Sequence, residues 1–316
     1  MYQDFVQRLA EYKQLSVAEL TDSTRSDHRY ALTCRDRGNS YVSRLGRLLH
    51  DDIADIRLLD VGCAYGGISI ALALAGARAA GVEVVPSYVD LARRNAQGET
   101  DVEFFHGDLT LKTTMLAVRA GKVQSFNVFV INHVLEHIYD TEGLLQNLDA
   151  LATDDAVILF DVPNGFSITS YMAEGHTNVF GVSLADPDTW HFFGNPRARI
   201  YYRRLEYFRA LFAAHGYAVS LARPPRKSRE EMERALVQAI EASKLKAAES
   251  PAPAAVLQEA MARFESEVAH DLAHADDDTL DLKFFNYFWR GIAYRPGARV
   301  REGMAADFPF AAWGDD

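Results

Sequence analysis

Two carboxylates flank a glycine-rich turn in the first third of this 316-residue chain. Asp60 lies two residues before the first glycine of "DVGCAYGG", and Glu83 closes the apolar run that follows the turn. A strand that ends in small residues and opens a helix directs backbone N–H groups and the positive helix end at a ligand. An acid at the end of the second strand is the usual acceptor for ribose hydroxyls. Because Asp60 would repel a pyrophosphate and attract a cationic amino-acid group, the pair predicts a nucleoside ligand with such a group.

The spacing Asp60-x-Gly62-x-Ala64-x-Gly66 resembles the S-adenosylmethionine motif of class I methyltransferases, which have glycine where this chain has Ala64. Three later segments, "FFHGDL", "NVFVINHVLEHIYD" and "VILFDVPN", resemble that family in the same order. The resemblance covers about residues 60–164 and implies S-adenosylmethionine as the cofactor. It also implies a cofactor site made of Asp60, Gly62, Ala64, Gly66, Glu83, Asp108, Leu109 and Asn132.

Two histidines follow the fourth predicted strand in "NHVLEHI", at the sheet edge where α/β proteins bind ligands. Methyl transfer to an alcohol or phenol needs a base for the hydroxyl proton, and we predict His137 and His133 in this role. The alternative is that His137 only fixes the strand–helix turn through a backbone hydrogen bond. The i, i+4 spacing also suits two metal ligands. The sequence shows no third ligand nearby, so we predict no metal site, and we expect Glu136 to be structural.

A long segment without regular pattern follows Asn164 and is rich in aromatic residues. Long loops in compact domains are usually functional or disordered, and disordered segments are poor in aromatics. We therefore predict an ordered loop over the pocket, with Trp190, His191 and Tyr171 facing the substrate. The alternative is that these aromatics only pack the loop onto the sheet. Arginines end the segment, and Arg203, with Arg199 and Arg204, either binds an acidic substrate group or is solvated.

Short apolar runs alternate with helical patterns through the first two-thirds of the chain. They predict strands at Ile56–Val61, Ala79–Val84, Val102–His106, Phe126–Asn132 and Ala156–Val162. Helices are predicted between them at Gly67–Ala75, Pro86–Gln97, Leu111–Ala120 and Thr141–Ala152. Apolar strands that alternate with helices indicate a parallel sheet covered on both faces.

After Ser228 the sequence becomes helical and polar, with two apolar stripes at helical spacing on either side of "ESPAP". We predict an α/β fold with a doubly wound, mostly parallel sheet and a helical hairpin inserted between its last two strands. By the family resemblance the sheet has seven strands and the final one is antiparallel. The predicted segments are a helical cap at 1–50, a core at 51–227 and 280–298, the hairpin at 228–279, and a patternless tail at 299–316. Residues of the cap, Tyr30, Arg37 and Tyr41, are expected to cover the cofactor.

The net charge of −11 argues against a nucleic-acid partner, and the basic run "RPPRKSR" is expected to be a solvated turn. Two cysteines provide neither a disulfide framework nor a metal cluster. Without an apolar leader or a stretch long enough for a membrane span, we predict a cytoplasmic protein without a membrane partner.

The favoured function is S-adenosylmethionine-dependent methylation of a small molecule, with oxygen of a sugar, phenolic or other natural product as the acceptor. One alternative is an NAD(P)-dependent oxidoreductase, because Gly62-x-Ala64-x-x-Gly67 nearly fits the dinucleotide fingerprint. Another is a non-catalytic methyltransferase-like protein whose hairpin mediates assembly. The hairpin also suggests a homodimer.

Overall fold

A computed structural model describes residues 2–193, 200–250 and 252–314 of the chain. Its centre is a sheet whose strands are β1 (Arg57–Val61), β2 (Arg78–Glu83), β3 (Glu103–His106), β4 (Phe126–Asn132), β5 (Ala152–Pro163), β6 (Ala218–Arg223), β7 (Phe288–Tyr294) and β8 (Phe308–Pro309). They lie in the order β3-β2-β1-β4-β5-β7-β6-β8. The first five strands pair in parallel, and β7 is antiparallel to both β5 and β6. The predicted fold class is confirmed, with one strand more than the seven predicted.

Helices cover both faces of this sheet. They are α1 (Tyr2–Lys13), α2 (Val17–Thr21), α3 (Ser26–Leu32), α4 (Cys34–Leu48), α5 (Gly67–Leu74), α6 (Pro86–Ala96), α7 (Lys112–Arg119), α8 (Thr141–Leu151), α9 (Ile168–Met172), α10 (Leu205–Ala214), α11 (Arg229–Glu249), α12 (Ala254–His274), α13 (Asp277–Leu280) and α14 (Phe310–Trp313). Short 3-10 turns lie at Ile53–Asp55, Leu135–His137, Val182–Leu184 and Pro187–Phe193, and a π-helical turn at Asp281–Phe285. None of the described helices is long and apolar enough to cross a membrane.

The hairpin of α11 and α12 lies between β6 and β7, as predicted. Ser228 is the N-cap of α11 and forms a capping box. Its side chain accepts a hydrogen bond from the Glu231 backbone N–H, and the Glu231 side chain accepts one from the Ser228 backbone N–H. The hairpin forms a second hydrophobic cluster with the aromatic loop that follows β5. This cluster, called here the hairpin–loop core, includes Phe166, Tyr171, Phe180, Val182, Trp190, Met232, Leu236, Leu257 and Phe264. The loop is therefore packed against the hairpin.

The N-terminal helices reach the sheet through direct contact between α4 and α5. A Cβ on Gly38 would lie 2.2 Å from the carbonyl oxygen of Gly67, and a Cβ on Gly67 would lie 2.1 Å from that of Cys34. Only glycine permits such close backbone approach. The predicted helical cap is thus held against the helix that opens the glycine turn.

The segment beyond residue 299, expected to be a patternless tail, is instead part of the sheet. β8 pairs in parallel with β6, and Trp313 of α14 is fully buried against α4. The guanidinium of Arg44 lies 4.4 Å from the Trp313 ring, and its Nε donates to the Trp313 carbonyl at 2.8 Å. A two-residue strand and a four-residue helix are too short to show periodicity, so sequence patterns missed them.

Candidate functional site

The glycine turn after β1 has the strained backbone that its sequence suggests. Gly62, Ala64 and Gly66 all have positive φ, at 70°, 45° and 74°. Close packing also requires the glycines, because a Cβ on Gly62 would lie 2.4 Å from Val134 Cγ2. Ala64 occupies a left-handed position that favours glycine, which costs roughly 1 kcal/mol. The turn thus sets the end of β1 directly against the end of β4.

Asp60 faces a small cavity beside this turn. The cavity is also lined by Tyr30, Arg37, Gly62 and Asn132. Asp60 is 2% exposed, and its Oδ2 accepts a hydrogen bond from Ser69 Oγ at 2.9 Å. Burial raises the pKa of Asp60 to about 7, and the Glu83 carboxylate adds to the rise. A cationic ligand group in the cavity would favour the ionised carboxylate.

The other predicted cofactor acids have different surroundings. Glu83 is bonded to the glycine turn, since its Oε2 accepts a hydrogen bond from the Ala64 N–H at 3.0 Å. Its Oε1 accepts one from the Val85 N–H at 2.9 Å. Asp108 is exposed beyond β3 and accepts from the Thr110 N–H at 2.9 Å. Leu109 is buried in the main hydrophobic core. Contacts of these three residues with ribose or adenine stay predictions.

The helical cap contributes an arginine to the cavity. Arg37 Nη1 donates to Thr33 Oγ1 at 2.8 Å and Nη2 to the Tyr30 carbonyl at 2.6 Å, and its guanidinium lies 3.6 Å from the centre of the Tyr30 ring. Asp60 and Arg37 therefore bring opposite charges to one cavity. This fits the ammonium and carboxylate of an amino-acid group. Tyr41, expected at the same place, is instead buried in the core.

The end of β4 carries the predicted histidines. His133 has a positive φ of 54°, an uncommon conformation for a residue with a side chain. Its ring contacts Phe288, with ring centroids 4.8 Å apart. The 3-10 turn at Leu135–His137 is held by Arg203, whose guanidinium donates to the Leu135 carbonyl at 3.4 Å and to that of Tyr139 at 2.8 Å. Arg203, predicted as a substrate contact, thus has a role in positioning this turn.

His137 lies beside a second histidine that sequence analysis did not place in the site. The His137 and His176 rings meet edge to face, with centroids 5.2 Å apart. Glu136 lies close to both predicted histidines. Its Oε1 is 3.9 Å from His137 Nε2 and 3.9 Å from His133 Nδ1. His176 lies far along the chain in an irregular loop, so no spacing pattern could have connected it with His137.

The remaining predicted substrate residues lie in the loop after β5. Tyr171 is fully buried and stacks on Phe264 with ring centroids 3.9 Å apart, and Trp190 is 3% exposed. His191 is exposed, and its Nδ1 donates to the Asp188 carbonyl at 2.8 Å. Arg204 pairs with Glu267 of the hairpin, and Arg199 lies outside the described residues. Their substrate contacts stay predictions.

Comparison with known proteins identifies the chain's family. A family model described as a methyltransferase domain matches residues 33–221. The ubiquinone biosynthesis O-methyltransferase of Actinobacillus pleuropneumoniae serotype 7 (strain AP76) is 30% identical over 116 residues, 37% of this chain and 49% of that protein. The enzyme of the same name from Coxiella burnetii (strain Dugway 5J108-111) is 29% identical over 127 residues, 40% of this chain and 51% of that protein. The chain thus matches about half the length of these curated relatives.

Among solved structures, magnesium protoporphyrin IX methyltransferase from Synechocystis PCC 6803 with bound SAH aligns with a TM-score of 0.47 at 14% identity. The alignment covers 93% of this chain and 98% of that chain. The family match runs from the start of α4 into β6 and includes the glycine turn and the end of β4. It gives the oxidoreductase alternative no support. The chain therefore belongs to the methyltransferase-domain family, an enzyme class whose cofactor is S-adenosylmethionine, as the motif around Asp60 predicted.

Proposed function

We propose that this protein transfers a methyl group from S-adenosylmethionine to an oxygen atom of a small molecule. The observation that carries the proposal is the cavity beside the glycine turn, where Asp60 and Arg37 present opposite charges. An amino-acid group with an ammonium and a carboxylate matches this pair. When bound, S-adenosylmethionine supplies a methyl group already activated by the positive sulfur.

The chain's own residues would do the rest by positioning and proton transfer. Asp60 and Arg37 hold the amino-acid end of the cofactor, and Glu83 and Asp108 are the proposed acceptors for ribose and adenine. His137 and His133 are the proposed acceptors of the substrate's hydroxyl proton, which contributes roughly 10²–10⁴-fold to such reactions. Alignment of the acceptor oxygen contributes about 7–11 kcal/mol more.

The acceptor is proposed to be a phenolic hydroxyl, with sugars and other natural products as the wider class. The curated relatives are named as ubiquinone biosynthesis O-methyltransferases, and this supports a phenol first. The net charge of −11 disfavours a nucleic-acid substrate. A cytoplasmic location and a homodimer formed through the hairpin remain part of the proposal.

The test combines a substrate screen with one variant. Purified protein is incubated with S-adenosylmethionine and panels of catechols, other phenols and sugars, and methylated products are detected by mass spectrometry. His137→Ala should lower turnover at least about tenfold while the dissociation constant for the cofactor stays unchanged. His50→Ala, at an exposed histidine away from the site, is the control and should leave turnover unchanged. Equal turnover in His137→Ala and the unmodified protein would remove His137 from the mechanism.

A further inference from the structure

Two buried carboxylates lie side by side near the end of β4, and only one of them has hydrogen-bond partners. Glu174 is fully buried and accepts hydrogen bonds from His176, Thr177 and the Tyr202 hydroxyl. These contacts lower the pKa of Glu174 to about 2 against the effect of its burial. Glu136 is also fully buried, yet neither side-chain oxygen has a hydrogen-bond partner among the described residues.

An orphaned buried carboxylate costs free energy, so its surroundings indicate what it binds. The neighbouring carboxylates of Asp161 and Glu174 add negative charge around Glu136. Two imidazoles also lie near it, since Glu136 Oε1 is 3.9 Å from both His133 Nδ1 and His137 Nε2. One carboxylate oxygen and the ring nitrogens of His137 and His176 lie within 4.8 Å of one another. A cation between them would balance the acidic surroundings.

We propose that Glu136, His137 and His176 bind a divalent transition-metal ion of the zinc type. Two imidazoles and one carboxylate form a known zinc-binding set that leaves a further position open. Zinc bonds of about 2.0–2.2 Å bring ligand atoms roughly 3.3–3.5 Å apart, so the three atoms need only a small further approach. The side chains of His137 and His176 are 44% and 31% exposed, so a metal ion can reach both from solvent.

The loop orients His176 in the way that metal-binding histidines require. His176 Nδ1 donates to Glu174 Oε1 at 2.7 Å, because an ionised carboxylate can only accept. This contact fixes the tautomer and leaves Nε2 with a lone pair. A carboxylate behind a metal-binding imidazole is a frequent arrangement that also increases the basicity of the ligand. Glu174 is therefore assigned as a positioning residue for the metal site.

The sequence predicted no metal here because the pair His133 and His137 lacked a third ligand. Folding brings His176 from the loop after β5 to His137 and Glu136, and Glu136 takes the place of His133 in the proposed set of ligands. Metal binding at this site does not depend on which molecule is methylated. It changes only one part of the proposed function, the role of His137. A metal-bound His137 cannot accept a proton, so His133 would be the proton acceptor in the metal-loaded protein.

The experiment measures metal binding without methyl transfer. The surface pair His270 and His274, whose rings stack at 4.7 Å, is replaced by alanine in every variant so that adventitious zinc does not count. Chelator-treated protein is then titrated with ZnCl2 by calorimetry, and bound metal is counted by mass spectrometry. We expect one equivalent of zinc, and MgCl2 should not compete because magnesium prefers oxygen ligands.

Two variants separate the proposed ligand from the residue behind it. Glu174→Gln should weaken zinc binding about 10–100-fold, and His176→Ala should weaken it further. His191→Ala, at an exposed histidine of the same loop, should leave the zinc affinity unchanged. Each variant's affinity for S-adenosylmethionine in the metal-free state shows whether the fold is intact.

Absence of zinc binding by the starting protein, or an unchanged affinity in His176→Ala, would overturn the metal site. Failure of the proposed function looks different, because S-adenosylmethionine would not bind or no hydroxyl would be methylated even though zinc binds normally.

Discussion

Asp60 is buried, carries a raised pKa and faces the cavity that the cofactor is proposed to occupy. A carboxylate in this state is unfavourable until a cation reaches it. The residue is therefore suited to ligand binding and unsuited to the stability of the free protein. The effect of Asp60 on ligand binding and its effect on stability can therefore both be measured in the Asp60→Asn variant.

Cofactor affinity should fall as pH drops below about 7, the pKa of Asp60, by up to about tenfold per pH unit. The reason is that a protonated Asp60 no longer attracts the cationic end of the cofactor. Asp60→Asn should bind weakly at every pH. Calorimetric titration with S-adenosylmethionine between pH 5.5 and about 8.5 checks both results. A pH-independent affinity in the unmodified protein would contradict the role given to Asp60.

The folding stability of Asp60→Asn provides the control. Because the folded-state pKa lies above the unfolded value, the folded state binds more protons between about pH 4 and 7. Stability of the free protein is therefore lost as pH rises through this window. The variant lacks that loss, so above pH 7 it should be more stable by on the order of 1–3 kcal/mol.

At the residue scale, a short spacing in the sequence could be connected with one place in the structure, and the cofactor contacts expected there stay predictions. Asp60, Gly62, Ala64 and Asn132 belong to one turn and the neighbouring strand end, and all four line one cavity. His176 and Glu174 were missed as site residues because the contacts that bring them to Glu136 depend on how a long irregular loop folds. Tyr41 was expected over the cofactor but is buried in the core. Its position on the helix indicates that it is buried, but the sequence does not show which element it packs against.

At the scale of elements, the contact between α4 and α5 links the helical cap to the glycine turn. Gly67 is the first residue of α5, and Gly66, which precedes it, has a positive φ of 74°. Any widening between α4 and α5 would therefore move both Arg37 and the turn.

Gly67→Ala should destabilise the protein by about 1–3 kcal/mol and weaken cofactor binding, because the new Cβ meets the Cys34 carbonyl. Gly46→Ala is the matched control in α4, where a Cβ meets nothing within 4 Å. It should stabilise by about 0.5–1 kcal/mol. Denaturant unfolding and calorimetric titration measure the two effects. Equal changes in both variants would show that the helix contact is unimportant.

Element-level prediction was accurate for the parallel core and poor for the carboxyl-terminal segment. Five apolar runs became β1 to β5. The bounds of β4 are those predicted, those of β1, β2 and β3 are shifted by one residue, and β5 begins four residues earlier than predicted, at Ala152. The hairpin was evident from its two apolar stripes. β8 and α14 owe their existence to contacts with β6 and α4 rather than to a local pattern.

On the scale of the whole molecule, the described residues form five hydrophobic clusters, which include the main core around the sheet and the hairpin–loop core. The main core includes Val61 and Ile131, which lie at the ends of β1 and β4 that lead into the candidate site. The hairpin–loop core supports the loop that carries His176 and the predicted substrate residues. A substitution that loosens the hairpin should therefore weaken substrate binding and leave cofactor binding unchanged.

Phe264→Ala should loosen the hairpin–loop core, since removal of a buried phenylalanine costs about 3–5 kcal/mol. We expect faster hydrogen exchange in residues 166–193 and a higher KM for the methyl acceptor, with cofactor affinity unchanged. Leu245→Ala, at a side chain of α11 that is 74% exposed, is the control and should change none of these. Loss of cofactor affinity in Phe264→Ala would show that the two cores are not independent.

The contact between α14 and α4 has a practical consequence for anyone who labels this protein. Arg47 donates to the Ala312 and Trp313 carbonyls, and its helix also carries Arg37. A bulky label attached close to Trp313 would therefore lie next to the helix that carries Arg37, and we expect it to disturb the proposed cofactor cavity more than a label at the exposed Leu245 of α11.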